Sequence, residues 1–367
     1  MLMKNRLFKR NRKVRMISIL VLLIGPLLLA SCSSSNADDS PDEIVVYQMM
    51  RQYCEVAEDT IDKVMLEKYN TVVKCQNLAS AEAYSKVQSE RENPVASVVV
   101  GDAIGVAAGV EADYYEELDP EVVTNMELLE GYPREAFGNE AVAIANETIN
   151  MAYRKDLFEE KGIPAPTKWE DLYNPDLKSE VGMFSAGISA PYSLVLNLAK
   201  IAGGDVDNID PGFEKANELA ESGQIGSFYD SGSMMYQGLS TGEIMVGPTY
   251  LAGAADLTEI DENVELVFPE DGFAHGLYIA AVIKDSPNQD KAQQYINLLL
   301  SEEYQKAIAE ERSTSPIRGD LDLSDELSTK ILAGSDGWEI AHQVDWIKLS
   351  SLQNEWYNRW IREVEQK

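Results

Sequence analysis

The spacing of apolar residues along the chain alternates between a period typical of strands and one typical of helices. Residues 43–47 form a short β-branched run, apolar positions at helical spacing continue to residue 69, and residues 71–76 return to strand character. Residues 80–92 predict a polar helix, and residues 95–100 predict a continuous apolar strand. This alternation indicates a parallel sheet with helices on both faces.

A second series of the same kind begins near residue 141. The predicted strands are residues 141–145, 148–153, 181–185, 225–229, 244–247, 264–268 and 277–283. The remaining predicted helices are residues 103–118, which precede this series, and residues 190–202, 211–222, 233–240, 288–300, 302–310 and 346–364. The pattern restarts, and a folded part of about 325 residues exceeds what one hydrophobic core usually organises. The sequence therefore predicts two lobes.

The first residues have the pattern of an export signal. Residues 1–15 carry seven basic side chains and no acidic one, and residues 16–29 are an apolar run. The run is shorter than the roughly twenty residues that a membrane-spanning helix needs, and Pro26 interrupts it. We expect this segment to be removed and not to remain as an anchor.

The sequence Leu-Ala-Ser-Cys ends the apolar run at Cys32 and resembles the lipobox of bacterial lipoproteins. The resemblance implies a signal peptide over residues 1–31 and acyl chains on Cys32, which would anchor the chain on the outer or periplasmic side of the cell membrane. Residues 32–41 are small and polar and predict a flexible tether. The alternative is an ordinary signal peptide followed by a chance cysteine.

Charge excludes one class of partner. The chain has 62 acidic and 31 basic residues, a net charge of −31, and seven of the basic residues belong to the predicted signal. Such a field repels nucleic acids and anionic lipid headgroups. We therefore expect no nucleic-acid partner and interpret the acidity as a solvated surface.

Two cysteines follow the predicted tether, Cys54 and Cys75. In an oxidising compartment a pair of this kind indicates a disulfide, which closes a loop of about 20 residues. Two separate buried thiols are an equal alternative, because the sequence does not give the separation of the two Cα atoms.

Five segments resemble, in order, the type II periplasmic binding proteins. They are residues 87–99, 152–172, 240–243, 268–272 and 315–318, and the closing Trp-rich helix also fits. Residues 152–172 are the most specific match, with the proline, tryptophan, aspartate and leucine of the family's turn. The resemblance is to the group that includes ferric-iron, phosphorylated-sugar, aminoethylphosphonate and polyamine receptors of ABC importers.

The resemblance implies an α/β fold in which two doubly wound lobes, joined by crossing strands, close over a ligand cleft. Lobe one would comprise residues 42–138 and 273–367, and lobe two residues 139–272. The partners implied are a small-molecule or metal-ion ligand and the membrane subunits of an ABC importer. We expect a monomer, no cofactor and no catalysis.

Two other functions use the same features. The first is an exported, lipid-anchored hydrolase, but the sequence has neither a Gly-x-Ser-x-Gly nor a His-Glu-x-x-His motif. The second is a protein of the same fold that delivers its ligand to a sensory receptor and not to an importer.

Candidate ligand-binding residues follow from the predicted strands. In doubly wound lobes the ligand lies at the carboxyl ends of strands, where the following helices begin. The candidates at such positions are Gln48, Asp102, Ser189, Ala190, Tyr192, Tyr229, Ser231, Ser233 and Tyr250.

Several candidates have an alternative structural role. Ser189 precedes a helix whose first amide groups, including that of Tyr192, favour an anion, but it could equally be a simple N-cap. Asp102 could pair with a cation or cap the next helix. Tyr250 lies where ferric receptors of the resembled group have two adjacent tyrosines, whereas its neighbours here are Thr249 and Leu251.

The expected solute is ferric iron or a small anionic compound, such as a phosphorylated or phosphonate molecule. A polyamine is the alternative. We favour the anion because the helix start at Ser189 attracts negative charge and few aromatic and acidic residues cluster at the predicted strand ends. The sequence assigns no residue to a metal site.

Overall fold

The computed structural model describes residues 40–129, 131–333 and 341–367. The predicted signal peptide, Cys32 and nearly all of the predicted tether lie outside these ranges. The described chain forms two mixed sheets, and helices pack against both.

The first sheet has six strands. They are β1 (Asp42–Gln48), β2 (Thr71–Asn77), β3 (Val98–Asp102), β4 (Tyr115–Glu116), β5 (Val142–Asn146) and β12 (Leu277–Ile283). The order is β2-β1-β3-β12-β4, and β5 also pairs with β12. Strands β1, β2 and β3 are parallel, while β12 is antiparallel to its neighbours. All seven residues of β12 are buried, because the sheet is covered on both faces.

The second sheet has five strands. They are β6 (Ile149–Arg154), β7 (Val181–Phe184), β8 (Ile225–Tyr229), β9 (Val246–Tyr250) and β10 (Val264–Val267). The order is β10-β6-β9-β7-β8, with β7 parallel to β8 and β9 and with β6 antiparallel to β9 and β10. A separate parallel pair joins β11 (Phe273–Ala274) to β13 (Ala341–His342).

Two segments carry the chain between the two large sheets. Residues 147–148 connect β5 to β6, and the chain returns from β10 through β11 to β12. The crossing segments touch, because the amide of Glu147 donates a hydrogen bond to the carbonyl of Gly276. Since β5 pairs within the first sheet, we propose that the first lobe boundary lies at Glu147, after the boundary predicted at residues 138 and 139.

The helices alternate with the strands. Those packed around the first sheet are α1 (Arg51–Asp59), α2 (Ile61–Tyr69), α3 (Ser80–Ser89), α4 (Ala103–Glu111), α5 (Tyr132–Glu135), α11 (Gln289–Leu299), α12 (Glu302–Arg312) and α13 (Asp325–Ile331). Those around the second sheet are α6 (Lys155–Lys161), α7 (Ala190–Ile201), α8 (Asp210–Ser222), α9 (Gly232–Thr241) and α10 (Leu251–Ile260). Short 3-10 helices span Thr124–Leu128, Trp169–Tyr173 and Pro175–Leu177.

The last helix, α14 (Trp346–Trp360), contacts elements on both sheets and continues into a π-helical turn over Ile361–Glu365. Its Ser350 hydroxyl lies 3.2 Å from Glu111, at the end of α4. The indole of Trp360 donates to the carbonyl of Phe184 at 3.1 Å, at the end of β7 in the second sheet. The helix therefore connects the two lobes independently of the crossing segments.

The two cysteines of the folded part form a disulfide. Cys54 of α1 and Cys75 of β2 have Cα atoms 5.9 Å apart and are bonded. Of the two alternatives that the sequence left open, the structure has the bonded one. The link joins a helix to the edge strand of the first sheet, a strand that pairs with β1 alone.

A partly buried carboxyl group on α2 predicts a dependence of stability on pH. Burial and then the nearby Glu58 raise the pKa of Asp62 to about 7, and its Oδ1 has no hydrogen-bond partner among the described residues. The protonated form is the one the fold favours. The contribution of protonated Asp62 to the free energy of unfolding is complete below about pH 4 and is lost as the pH rises through 7.

We therefore expect the free energy of unfolding to fall between pH 5 and pH 8, and Asp62→Asn to reduce that fall by about 1–2 kcal/mol. Denaturant titrations across this range would measure it. Some slope should remain, because a second carboxyl group, Glu147, titrates in the same range. Asp59→Asn, at an exposed position nearby, is the matched control. Equal slopes in the wild type and Asp62→Asn would contradict the prediction.

Candidate functional site

A cavity of about 650 Å³ lies between residues of the two lobes. Met49, Tyr53 and Asp102 contribute from the first lobe, and Ser189 and Tyr250 contribute from the second. The other lining residues are Met50, Gln52, Ala103, Ile104, Glu147, Ile149, Ile188, Ser193, Asp230, Ser231, Gly232, Ser233, Tyr236, Ala252, Gly253, Asp256, Gly276, Leu277, Tyr278, Arg312, Thr314 and Trp346. The cavity is therefore also bordered by both crossing segments.

Several helices begin at the wall of the cavity. Ala103 is the first residue of α4, Gly232 is the first of α9, and Ala252 is in the first turn of α10. Ser189 immediately precedes α7. The first amide groups of a helix have no acceptor within the helix, and the helix dipole makes that end positive. The arrangement therefore places the positive ends of several helices on the wall.

The side chains at these helix starts differ in what they already bind. Asp102 accepts a hydrogen bond from the amide of Gly105 at 2.8 Å and thus caps α4, and Ser231 accepts from Met234 at 3.3 Å and caps α9. Ser189 makes no capping bond with its side chain, and its hydroxyl lies 3.5 Å from the hydroxyl of Tyr250. The Ser189 hydroxyl therefore remains available to a ligand.

Five of the nine residues predicted from the sequence line this cavity. They are Asp102, Ser189, Ser231, Ser233 and Tyr250. They come from one strand end in the first lobe and three helix starts in the second. These five were predicted from the rule that ligands lie where strands end and helices begin.

The other four predicted residues lie outside the lining. Gln48 is buried at the end of β1 and accepts a weak bond from the amide of Met50 at 3.4 Å. Ala190 is buried in the first turn of α7. Tyr192 packs against Trp356, and Tyr229 is buried in the second lobe.

Four tyrosines and a glutamate form a wall that the sequence did not predict as a unit. Glu147 lies in the first crossing segment, and burial, followed by its carboxylate, raises the pKa of Tyr53, Tyr236 and Tyr278. The rings of Tyr53 and Tyr278 meet edge to face with centroids 5.6 Å apart. The Tyr236 hydroxyl donates to the carbonyl of Tyr250 at 3.3 Å.

Carboxylates outnumber cations around the cavity. Asp102, Glu147, Asp230 and Asp256 line it together with one guanidinium, that of Arg312. Arg312 also lies 3.2 Å from Glu55, which neutralises part of its charge. Asp102 ends β3 and Asp230 follows β8, whereas Glu147 lies in the crossing segment and Asp256 in α10, positions that the expectation about strand ends did not cover.

Burial changes the titration of two of these carboxyl groups. It raises the pKa of Glu147 to about 7, with Asp256 adding to the effect and the amide of Ala252 opposing it. Burial also raises the pKa of Asp102, against the hydrogen bonds from the start of α4. Burial therefore makes these two carboxyl groups easier to protonate than free ones.

The described residues contain no group of three or more His, Cys, Asp or Glu side chains placed to hold a metal ion. In the same part of the chain, no helix has the length and apolar character needed to cross a membrane.

The fold and cavity define a two-lobed binding protein of the periplasmic type. Residues 61–333 match the family model described as bacterial extracellular solute-binding protein. The chain belongs to that family.

Comparison with curated proteins gives relatives of low identity. An uncharacterized protein of Haemophilus influenzae is 24% identical over 290 residues, which cover 76% of this chain and 79% of that protein. A protein of Salmonella typhimurium named "Putative 2-aminoethylphosphonate-binding periplasmic protein" is 25% identical over 201 residues. That match spans 53% of this chain and 58% of the relative.

Solved structures share the fold. An ABC transporter protein from Clostridium perfringens has a TM-score of 0.77 at 22% identity, covering 88% of this chain and 99% of that one. AfuA from Actinobacillus pleuropneumoniae, with fructose-6-phosphate bound, has a TM-score of 0.72 at 21% identity over 89% of this chain and 99% of its own. Iron-bound HitA from Pseudomonas aeruginosa has a TM-score of 0.71 at 20% identity, over 87% and 99%.

The family and fold together define the general role. The chain is a bacterial extracellular solute-binding protein.

Proposed function

We propose that the protein captures a small phosphonate or phosphorylated solute that also carries an amine, such as 2-aminoethylphosphonate. The observation that carries the proposal is that one cavity combines several helix starts with a wall of tyrosines and carboxylates. A solute with an anionic end and a cationic end is complementary to both. The aminoethylphosphonate name of a partial relative agrees with this solute class.

The helix starts of the second lobe suit the anionic end. Ser189, Ser231 and Ser233 offer hydroxyl groups, and the first amides of α9 have no acceptor within that helix. In α7 the amides of Tyr192 and Ser193 already bond the carbonyl of Ser189, so there the hydroxyl is the available donor. Phosphate and phosphonate oxygens bind at such positions because the amides and the helix dipole both favour negative charge. We propose that the oxyanion lies between Ser189 and the Ser231–Gly232–Ser233 turn.

The remaining wall suits the cationic end. Four carboxyl groups and one guanidinium line the cavity, so a solute that carried only negative charge would offer those carboxyl groups no cationic partner. An ammonium group would pair with a carboxylate and lie against tyrosine faces, which attract cations. The amine is therefore part of the proposed solute.

The hydroxyl of Tyr250 suits the oxyanion as well. Burial raises the pKa of Tyr250 to about 12, and the surrounding Asp102 and Glu147 add to the shift. The phenol is therefore protonated near neutral pH and can donate a hydrogen bond to a phosphonate oxygen.

We further propose that the two lobes close over the solute about residues 147–148 and 275–276, and that the importer recognises the closed form. A lipid anchor on Cys32 would hold the protein at the outer or periplasmic face of the membrane.

Thermal unfolding of the chain from Ser33, with and without solutes, tests the proposal. We expect 2-aminoethylphosphonate at 100 times its dissociation constant to add about 2.7 kcal/mol to the free energy of unfolding, visible as a higher midpoint. Ser189→Ala should weaken binding, whereas Ser85→Ala, on an exposed helix face, should not. Stabilisation by spermidine or ferric citrate, with none from any phosphonate or sugar phosphate, would refute the proposed solute.

A further inference from the structure

The side chain of Glu147 lies at the junction of the hinge, the second lobe and the cavity. Its backbone amide binds the carbonyl of Gly276 in the other crossing segment. Its Oε1 accepts a hydrogen bond from the amide of Ala252 at 2.9 Å, in the first turn of α10. The residue is only 6% exposed, and it lines the cavity. One carboxyl group is thus attached to both the hinge and a helix of the second lobe.

The surroundings of Glu147 leave part of its carboxyl group without a partner. Ala252 is the one described residue that donates to it, through Oε1. The charged and titratable groups on the packed elements are Tyr53 of α1, Asp102 before α4, Tyr236 of α9, Tyr250 of β9, Asp256 of α10, Tyr278 of β12 and Arg312 of α12. A buried carboxylate needs more than one neutral amide for full compensation.

We propose that Glu147 is the residue that recognises the amine of the solute and that the charge it acquires there fastens the hinge to the second lobe. The proposal rests on the proposed function for the presence of an amine. The coupling follows from the contacts, since an ionised carboxylate accepts a stronger hydrogen bond than a neutral one. An ammonium group that ionises Glu147 therefore also strengthens its bond to Ala252 at the start of α10.

Binding should consequently release a proton near neutral pH. Burial keeps the pKa of Glu147 at about 7, so that the carboxyl group is about half protonated there. The ammonium binds the ionised form, so Glu147 should lower the affinity as the pH drops below 7, approaching about tenfold per pH unit. Protonation of the phosphonate adds to this fall in the wild type and in Glu147→Gln alike, so the difference between the two proteins reports Glu147.

Calorimetry of the whole folded chain in two buffers of different ionisation enthalpy, from pH 5.5 to 8.5, tests the assignment. The probes are 2-aminoethylphosphonate, ethylphosphonate, which lacks only the amine, and spermidine. In the wild type we expect 2-aminoethylphosphonate to bind about 10–100 times more tightly than ethylphosphonate, with proton release. In Glu147→Gln, whose amide oxygen can still accept from Ala252, the two phosphonates should bind alike. The proton release with 2-aminoethylphosphonate should fall by the share of Glu147 and leave only that of the phosphonate, which itself titrates near neutral pH. Asp230→Asn, at another lining carboxylate, should keep the proton release.

The outcomes separate this assignment from the proposed solute. Phosphonates that bind equally well with and without the amine, or a preference that survives Glu147→Gln, would refute the role of Glu147 and leave a phosphonate receptor. Spermidine binding alone, weakened in Glu147→Gln together with its proton release, would refute the phosphonate and retain Glu147 as the amine acceptor. If no amine binds in a manner that depends on Glu147, the assignment is wrong.

Discussion

Trp360→Ala is expected to destabilise the protein by about 3–5 kcal/mol, the usual cost of removing a large aromatic side chain from a core. Trp360 is 1% exposed, at the end of α14. Its indole donates to the carbonyl of Phe184, so the substitution also leaves a buried acceptor without its donor. Denaturant titration followed by circular dichroism would measure the loss.

The same helix supplies a matched control. Tyr357 is 41% exposed, and Tyr357→Ala should change the free energy of unfolding by less than about 0.5 kcal/mol. Trp360→Phe should fall between the two, because it keeps most of the apolar contact and loses the N–H donor. A loss in Trp360→Ala no greater than in Tyr357→Ala would show that the end of α14 is not packed on the second lobe.

The expected loss bears on binding as well as on stability. Phe184 ends β7, and the next five residues lead to Ser189 at the cavity. The end of the chain also holds this loop, since Glu365 accepts a hydrogen bond from the amide of Ala186. Trp360 and Glu365 therefore both contact the segment before the proposed oxyanion site and help to determine where Ser189 lies. Trp360→Ala should therefore also weaken binding of the solute.

The sequence predicted strands better than the ends of helices. Residues 225–229 and 277–283 were predicted as strands with the bounds that the structure has. Residues 277–283 are a continuous apolar run, and residues 225–229 are a short segment between turn signals at Gly223 and at residues 230–232. The predicted helix over residues 103–118 ends at Glu111, because Asp113 adopts a positive φ of 59°. Helical spacing through residue 69 did not reveal the break at Thr60, whose hydroxyl instead bonds the carbonyl of Val56.

Some residues of the candidate site could also be predicted from local sequence features, and others could not. Residues at helix starts in the second lobe were predictable, since strand ends and caps are local features of the sequence. Tyr53 and Tyr236 lie within helices, where an aromatic residue is more readily interpreted as core. Glu147 lies in a two-residue connection with no motif around it. Its position in the cavity depends on the crossing of distant segments, which no local pattern records.

That crossing makes Gly276→Ala the second substitution with a large expected effect. A Cβ atom at Gly276 would lie 1.7 Å from the carbonyl oxygen of Glu147 and 2.9 Å from its carbonyl carbon. The obstacle is backbone and not the end of a flexible side chain, so one crossing segment has to move. We expect a loss of about 3 kcal/mol or more, at the upper end of what overpacking costs.

The displacement should alter the hinge in particular, because the amide of Glu147 binds the carbonyl of Gly276. Small-angle scattering with and without the solute would show a reduced compaction in Gly276→Ala, and denaturant titration would give the stability. Gly319→Ala is the control, since a Cβ atom there meets nothing within 4 Å. If both variants unfolded at the same midpoint and compacted equally, the two segments would not be in backbone contact, and the hinge would have to lie elsewhere in the chain.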